Sequence, residues 1–148
     1  MYKRIKYISS FSESLTDQEL HELAETAAKS NAANDITGIL MASEGIFFQI
    51  IEGPEENIDK LFAKILKDQR HEKIITLGIQ SGDFARLFPT WTMKAFNLDS
   101  GKFTRLQSVK AIIDAVHAQA VIIENLTDTL ATVAWEELLE ITDKGEPL

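Results

Sequence analysis

Cysteine is absent from this chain of 148 residues. Without thiols there is no disulfide, no thiolate metal ligand and no cysteine nucleophile, and such a composition is typical of a cytoplasmic protein. Uninterrupted apolar stretches of about 18 residues, the length that spans a bilayer, are also missing, which predicts no membrane span. The N-terminal sequence MYKRIKYISS passes directly into a strand pattern and lacks the apolar core of a signal peptide.

Positive charge is scarce, above all near the C-terminus. The chain carries 23 acidic and 15 basic residues, a formal net charge of −8. Residues 120–148 hold seven acids and one base, a net of −6, which leaves −2 for residues 1–119. An acidic chain repels phosphate backbones, so we predict no binding to nucleic acid. The three histidines are scattered, which predicts no metal site.

The pattern of apolar residues predicts two helices among five strands. Residues 2–9 alternate as a strand does, and after the loop SFSES a capping box that begins at Thr16 predicts a helix. The strands DITGILMAS and IFFQIIE follow, and a second helix begins near Pro54. The segments KIITLGIQS and TWTMKAFNL complete the order as the fourth and fifth strands.

This order predicts an α+β fold, a ferredoxin-like βαββαββ sheet with two helices on one face. The opposite face of such a sheet needs cover. Residues 105–142 contain neither Gly nor Pro and carry apolar residues at helical spacing, so we expect one long bent helix or two helices there. These C-terminal helices are expected to cover the other face, to form a homodimer or higher homo-oligomer, or to bind an effector. The final GEPL is expected to fray.

An amide and a phenol interrupt two otherwise apolar strands. In FFQIIEG, residues 47–53, both strand faces are apolar, so Gln49 is predicted to be buried. Tyr7 occupies a similar position in the first strand. A Tyr–Gln pair satisfies the phenol and leaves amide valences for a third group. Taken alone, the two residues favour a satisfied polar pair in the core with no ligand.

Five segments, taken in order, resemble the BLUF family, the blue-light sensors that use FAD. They are YIS at 7–9, NAANDITGIL at 31–40, GIFFQIIEGPEE at 45–56, LKDQRHEKI at 66–74 and FPTWTMKAFNL at 88–98. The resemblance implies a flavin-binding photosensory domain at residues 1–98 and a helical extension at 99–148. It also implies the ferredoxin-like sheet, with the flavin between two parallel helices.

The resemblance implies roles for individual residues. Tyr7 matches the photoactive tyrosine of the family, and Gln49 matches its switching glutamine. Asn31 matches the asparagine that holds the polar edge of the flavin ring. Many relatives have two adjacent asparagines where this chain has Ser30 and Asn31, so Ser30 is expected to replace one hydrogen bond or to leave it unmade.

Further matched residues surround the flavin ring in the family. Leu23 and Ile65 match the aliphatic residues that sandwich the ring from the two helices. Asp68, Arg70 and His71 lie in a polar turn that the resemblance places beside the flavin. Without the resemblance, Asp68 and Arg70 are a simple ion pair within a turn.

Two residues of the fifth strand match the pair that reports the switch outward. Trp91 and Met93 alternate with Thr92, so we expect them to share one face of the strand. On the residues alone both are ordinary core positions. Under the resemblance, one or both move when Gln49 rearranges and pass strain to the edge strand and the C-terminal helices.

The resemblance implies a noncovalent FAD photoreceptor, not an enzyme in the turnover sense. Electron and proton transfer from Tyr7 to excited flavin rearranges the hydrogen bonds of Gln49, shifts the flavin absorption to the red and alters contacts with an unknown protein effector. FAD is the family's cofactor, although the matched residues hold only the ring that FAD and FMN share.

Alternatives from other classes stay open. A small flavin-dependent oxidoreductase would share the cofactor, but the chain has no nicotinamide-binding signature. A cofactor-free ferredoxin-like interaction module would leave the polar residues as ordinary core groups. The stretch through NLDSGKF is most similar to sensors that feed a nucleotide cyclase, so we expect either a short stand-alone sensor or part of a longer protein.

Overall fold

The computed structural model describes residues 1–11, 13 and 15–143, with the backbone alone at residue 143. In chain order the elements are β1 (Tyr2–Phe11), α1 (Asp17–Ala33), β2 (Thr37–Ser43), β3 (Ile46–Pro54), α2 (Glu55–Leu66), β4 (His71–Gly82), β5 (Lys94–Asn97), a 3₁₀ helix (Thr104–Leu106) and α3 (Gln107–Asp143). Two positions of the predicted SFSES loop, 12 and 14, and the GEPL end lie outside the described residues.

Local signals determine where the first two helices begin. At α1 the hydroxyl oxygen of Thr16 accepts a hydrogen bond from the backbone N–H of Glu19 at 3.1 Å, which is the N-cap bond of the predicted capping box. At α2 Pro54 precedes the first helical residue. Glu55 and Glu56 then place negative charge at the positive end of the helix dipole.

The five strands form one sheet in the order β4-β1-β3-β2-β5. β1 is antiparallel to both β3 and β4, and β2 is antiparallel to β3. β5 is parallel to β2 at the edge of the sheet. The predicted ferredoxin-like arrangement with one additional strand is therefore confirmed. It makes β1 and β3, the strands of Tyr7 and Gln49, direct neighbours.

Each face of the sheet has its own apolar core. The face under α1 and α2 buries Tyr7 and Ile51 together with Ile58 of α2. The opposite face buries Ile50 together with Ile113 of α3. Ile50 and Ile51 point into different cores because successive strand residues alternate between faces. The first turns of α3 thus cover the second face, as predicted.

The chain divides into two compact units, Met1–Asp114 and Ala115–Leu148. The first unit contains the whole sheet and extends past the predicted sensor boundary at residue 98. α3 is one continuous helix of 37 residues, which is one of the two expected forms. In the second unit several large apolar side chains are more than half exposed: Ile122, Ile123, Leu126, Leu130, Val133 and Trp135.

The length of the C-terminal helix bears on the membrane prediction. By length and composition alone the segment Thr104–Thr142, with a mean hydropathy of 1.3 in its most apolar window, could cross a membrane. A single helix that meets these criteria is weak evidence for a span. The absence of a membrane span therefore stays a prediction.

Candidate functional site

A cavity of about 210 Å³ opens between α1, α2 and the sheet. The helices contribute mostly apolar walls, and the strands and the turn before β4 contribute most of the polar groups. Its lining consists of Tyr7, Phe11, Leu23, Ala27, Asn31, Leu40, Phe47, Gln49, Leu61, Lys64, Ile65, Asp68, Arg70, His71 and Met93. Of the predicted site residues, all but Ser30 and Trp91 line this one cavity.

Tyr7 and Gln49 face each other across neighbouring strands. They are register partners in the β1–β3 ladder, and the phenol O–H donates a hydrogen bond to Gln49 Oε1. Both side chains are buried. Gln49 Nε2 lies 3.7 Å from Met93 Sδ, and a thioether is a weak acceptor. Within the described residues, the amide carbonyl thus has Tyr7 as a partner, whereas the amide N–H side has only a weak one.

The electrostatics of the pair keep the phenol neutral. Burial raises the pKa of Tyr7 far above its ordinary value, and the negative charge of Asp68 raises it further. Both causes act against the phenolate, so Tyr7 holds its proton at neutral pH. A buried, protonated phenol that is hydrogen-bonded to an amide carbonyl can release an electron and pass its proton along that bond.

Asn31 lies in the last turn of α1 and is buried. Its backbone carbonyl accepts hydrogen bonds from the N–H groups of Asn34 and Ile36, at 3.0 and 2.9 Å, which close the end of the helix. Its side-chain Nδ2 donates to the carbonyl of Thr92 at 2.6 Å. Within the described residues the side-chain carbonyl makes no hydrogen bond, so it is available to an N–H of a ligand.

The polar turn before β4 is held by a short-range ion pair. Arg70 Nε lies 3.0 Å from Asp68 Oδ1, and Arg70 Nη2 lies 2.5 Å from Asp68 Oδ2. Hydrogen bonds from Arg70 lower the pKa of the Asp68 carboxyl to about 2. The ion pair forms as the residues alone suggest, and the same two side chains line the cavity. Their contacts with a flavin stay a prediction.

His71 connects this turn to the floor of the cavity. Its Nδ1 lies 2.8 Å from the hydroxyl of the buried Ser9 on β1. Its ring packs edge-on against Phe11 at a centroid distance of 4.6 Å. Burial lowers the pKa of His71. His71 therefore has a fixed orientation at the cavity wall and favours its neutral form.

Ser30 does not reach the cavity. Its side chain is exposed, and its backbone carbonyl accepts a hydrogen bond from Asn34 Nδ2 at 2.8 Å. Consecutive residues of a helix point about 100° apart, and of this pair Asn31 lines the cavity whereas Ser30 does not. The first of the two outcomes expected for Ser30, that it replaces an asparagine hydrogen bond, has no support in this geometry.

The prediction that Trp91 and Met93 share a face is wrong. Trp91 packs in the core under α3, whereas Met93 packs with the residues under α1 and α2. The predicted fifth strand spans residues 90–98, but β5 begins only at Lys94. Residues 91–93 have no strand geometry, so alternation does not apply to them.

Helical spacing identifies lining residues that the sequence analysis missed. On α1 the predicted Leu23 and Asn31 are separated by two steps of four residues, and Ala27 lies between them on the same line. On α2 the predicted Ile65 is four residues from Leu61, which also lines the cavity. Lys64 adds a positive charge beside Ile65. Counting i±4 from each predicted wall residue would have found Ala27 and Leu61.

The chemistry of the lining defines the class of ligand. Two opposed aliphatic walls, Leu23 from α1 and Ile65 from α2, suit a flat ring. The amides of Asn31 and Gln49 offer both donors and acceptors at its edge. These residues fit an isoalloxazine ring, which is flat and carries N–H and carbonyl groups. The fold and the cavity are those of a small sensor or binding domain for a planar heteroaromatic ligand.

Comparison with known proteins identifies the family. A sequence profile described as sensors of blue light using FAD matches residues 2–94, more than half of the chain. The chain belongs to the BLUF family. The resemblance seen in the five sequence segments is thereby confirmed, together with the fold that it implies.

The similar proteins include light-regulated enzymes. The photoactivated adenylate cyclase subunit beta of Euglena longa is 39% identical over 100 residues, which cover 66% of this chain and 12% of that protein. A bacterial light-regulated adenylyl cyclase structure has a TM-score of 0.77 and 36% identity, and the match covers 84% of this chain and 36% of that one. BlsA in its photo-activated state has a TM-score of 0.62 and 33% identity, with 76% of this chain and 82% of that chain covered.

The extent of these matches limits what is shared. The chain spans 12% of the length of the Euglena longa cyclase subunit. The family match covers residues 2–94, which hold β1 to β4, α1, α2 and the first residue of β5. The chain therefore shares the flavin-binding blue-light sensor module with these proteins, and the cyclase activity in their names is a property of those proteins.

Proposed function

We propose that the chain binds FAD noncovalently and signals blue light through a hydrogen-bond switch at Gln49. The observation that carries the proposal is the Tyr7–Gln49 pair at the cavity wall, where among the described residues the amide N–H faces only the thioether of Met93. Bound flavin supplies the chromophore and, once excited, an acceptor for an electron and a proton. The chain supplies the donor, the relay and the walls that exclude water.

The chain's residues divide the binding and the chemistry between them. Leu23 and Ile65 would hold the ring from its two faces, and the free carbonyl of Asn31 would accept a ring N–H. Tyr7 gives up an electron, and because an oxidised phenol is strongly acidic it also releases its proton. The hydrogen bond to Gln49 Oε1 gives that proton a direct route.

Gln49 is the bistable element of this proposal. Its carbonyl faces Tyr7 in the structure, and rotation or tautomerisation of the amide exchanges donor for acceptor on that side. On the N–H side little opposes the exchange, because the contact with Met93 is long and weak. A group with two hydrogen-bonding states of similar energy is what a switch requires. Met93 is in direct contact with that group and is the first to sense a change.

The absorption spectrum tests this function. Purified protein reconstituted with FAD should show a flavin spectrum in the dark, a small reversible red shift under blue light and full dark recovery. Flavin that only bleaches under light would favour a flavin-dependent oxidoreductase. A colourless protein after reconstitution would reject flavin binding and favour an interaction module.

We propose that FAD is the natural cofactor and that the protein is located in the cytoplasm. The family's description names FAD. The cavity of about 210 Å³ is smaller than the roughly 300–1,000 Å³ of pockets that enclose a whole drug-sized ligand, so it suits the ring and leaves the rest of the dinucleotide outside. The cytoplasmic location rests on the cysteine-free composition.

We further propose that the second unit mediates a homodimer, and that a protein effector receives the signal. Apolar residues recur at alternating intervals of three and four: Ile123, Leu126, Leu130 and Val133. This spacing is the a/d pattern of a two-stranded coiled coil. All four side chains are more than half exposed. A second copy of the same helix presents the same stripe and covers it symmetrically.

Leu126→Glu should break this dimer. A carboxylate at a buried d position costs several kcal/mol, so the dissociation constant should rise by about a hundredfold or more. Light scattering after size exclusion measures the mass. Asn125→Glu, one position outside the stripe, is the matched control and should remain dimeric. A dimeric Leu126→Glu variant would contradict the interface, and the flavin red shift should be unchanged in both variants.

A further inference from the structure

A buried ion pair lies behind the switch, on the opposite face of the sheet. Arg4 of β1 and Glu52 of β3 are register partners, and their side chains are 7% and 0% exposed. Arg4 Nε lies 2.9 Å from Glu52 Oε2. Buried ion pairs are weak sources of stability, because desolvation offsets most of the attraction. The partners of this pair therefore indicate what it does.

The remaining polar atoms of the pair mostly bind one segment, residues 83–93, between β4 and β5. Glu52 Oε1 accepts a hydrogen bond from the backbone N–H of Phe88 at 2.7 Å. Arg4 Nη2 donates to the carbonyl of Ala85 at 2.9 Å, and its guanidinium lies 4.3 Å from the ring centroid of Phe84. Arg4 Nη1 binds outside this segment, to Gln80 Oε1 at 2.8 Å.

The same segment ends at the two residues with the predicted signalling role. The ring of Phe88 stacks on the ring of Trp91, with a centroid distance of 5.7 Å and an interplanar angle of 11°. The carbonyl of Trp91 accepts a hydrogen bond from the backbone N–H of Gly38 at 2.8 Å. Two residues further on, Met93 touches Gln49. Contacts thus connect the ion pair to Trp91, and the chain itself connects Trp91 to Met93, which touches the amide.

We propose that Arg4 and Glu52 anchor segment 83–93. The anchor holds Met93 against Gln49, and it holds Trp91 in the core under α3. The inference rests on the proposed switch at Gln49. Neither residue lines the cavity, so both are positioning residues. Glu52 acts through Phe88, and Arg4 acts through Ala85 and Phe84. A loosened anchor leaves the photochemistry intact and lowers the barrier to movement of the segment. Return from the light state, which requires that movement, becomes faster.

Glu52→Gln tests the anchor, in a Trp135→Phe background that leaves Trp91 as the sole tryptophan. An amide at position 52 keeps the shape but loses the charge-assisted bonds. We expect the flavin red shift to keep its amplitude, dark recovery to become roughly tenfold faster and Trp91 emission in the dark to move toward longer wavelength. Recovery and emission equal to those of the Trp135→Phe parent would overturn the proposal.

Two further variants keep the test decisive. Asp59→Asn removes the ion pair between Asp59 of α2 and Lys3, the neighbour of Arg4, leaves the ion pair of Lys3 with Glu55, and should change neither readout. If Glu52→Gln fails to fold, the double variant Arg4→Met, Glu52→Met removes both charges together and is better tolerated. Recovery and Trp91 emission at parent values in the double variant would equally reject the anchor.

The design separates this inference from the proposed function. A parent without any red shift would reject the switch itself. The dark emission of Trp91 needs no photochemistry, so its comparison between Glu52→Gln and the parent still tests the anchor. A red shift in every variant with identical recovery and emission would reject the anchor and leave the switch in place.

Discussion

Gln49→Leu is expected to bind flavin and to lose the light-induced red shift completely. Leucine has nearly the same size but neither donor nor acceptor, so the phenol of Tyr7 loses its partner. Flavin binding should weaken by no more than about tenfold, because one hydrogen bond contributes about 1 kcal/mol and the walls and Asn31 remain. Absorption difference spectra, dark against blue light, measure the shift, and titration with FAD measures the affinity.

The control for this prediction is Gln69→Leu. Gln69 is exposed in the polar turn between the cavity-lining Asp68 and Arg70 but does not line the cavity itself. Its replacement should preserve the red shift. A normal red shift in Gln49→Leu would show that the amide is no part of the switch. Loss of flavin binding in Gln49→Leu would make the residue a simple ligand contact.

Local signals explain why most of the fold was predictable. The capping box at Thr16 involves neighbours in sequence, and strand alternation places Tyr7 and Gln49 on one face of their strands without knowledge of the rest. The ferredoxin-like order then makes β1 and β3 neighbours. For the Tyr7–Gln49 pair, the one feature that required the structure was the strand register, which sets Tyr7 opposite Gln49.

Features that depend on irregular backbone or distant partners could not be predicted. Trp91 and Met93 were assigned to one face because residues 90–98 have a strand-like composition, yet the backbone becomes a strand only at Lys94. The contact between His71 and Ser9 joins positions 62 residues apart, so no local pattern contains it. Sequence patterns report periodic structure, and these contacts lie where periodicity ends.

The Arg4–Glu52 pair illustrates a related limit. Both residues occupy strands whose alternation predicts the face that they share, but charged residues on a strand face normally indicate solvent. The burial of both follows from the segment before β5, which crosses over them and supplies Phe88, Ala85 and Phe84 as partners. Nothing local to either strand indicates that cover.

Gly38→Ala is expected to destabilise the fold more than an alanine at any other glycine of the sheet. A Cβ at Gly38 would lie 2.1 Å from the backbone carbonyl oxygen of Ile50, on the neighbouring strand β3. Backbone cannot move aside without opening the β2–β3 ladder, which carries Gln49. We expect the free energy of unfolding to fall by about 3 kcal/mol or more. Urea unfolding followed by circular dichroism measures the change.

Gly78→Ala supplies the matched control for that prediction. Gly78 also lies in a strand, β4, but a Cβ there meets nothing within 4 Å. The unfolding midpoint should therefore stay the same or rise, since alanine in a strand is favoured over glycine by roughly 0.5–1 kcal/mol. Equal midpoints for the two variants would mean that the approach of β2 to β3 is looser than the structure has it. The hydrogen bond from Gly38 to Trp91 would then also be in doubt, because it depends on the same strand position.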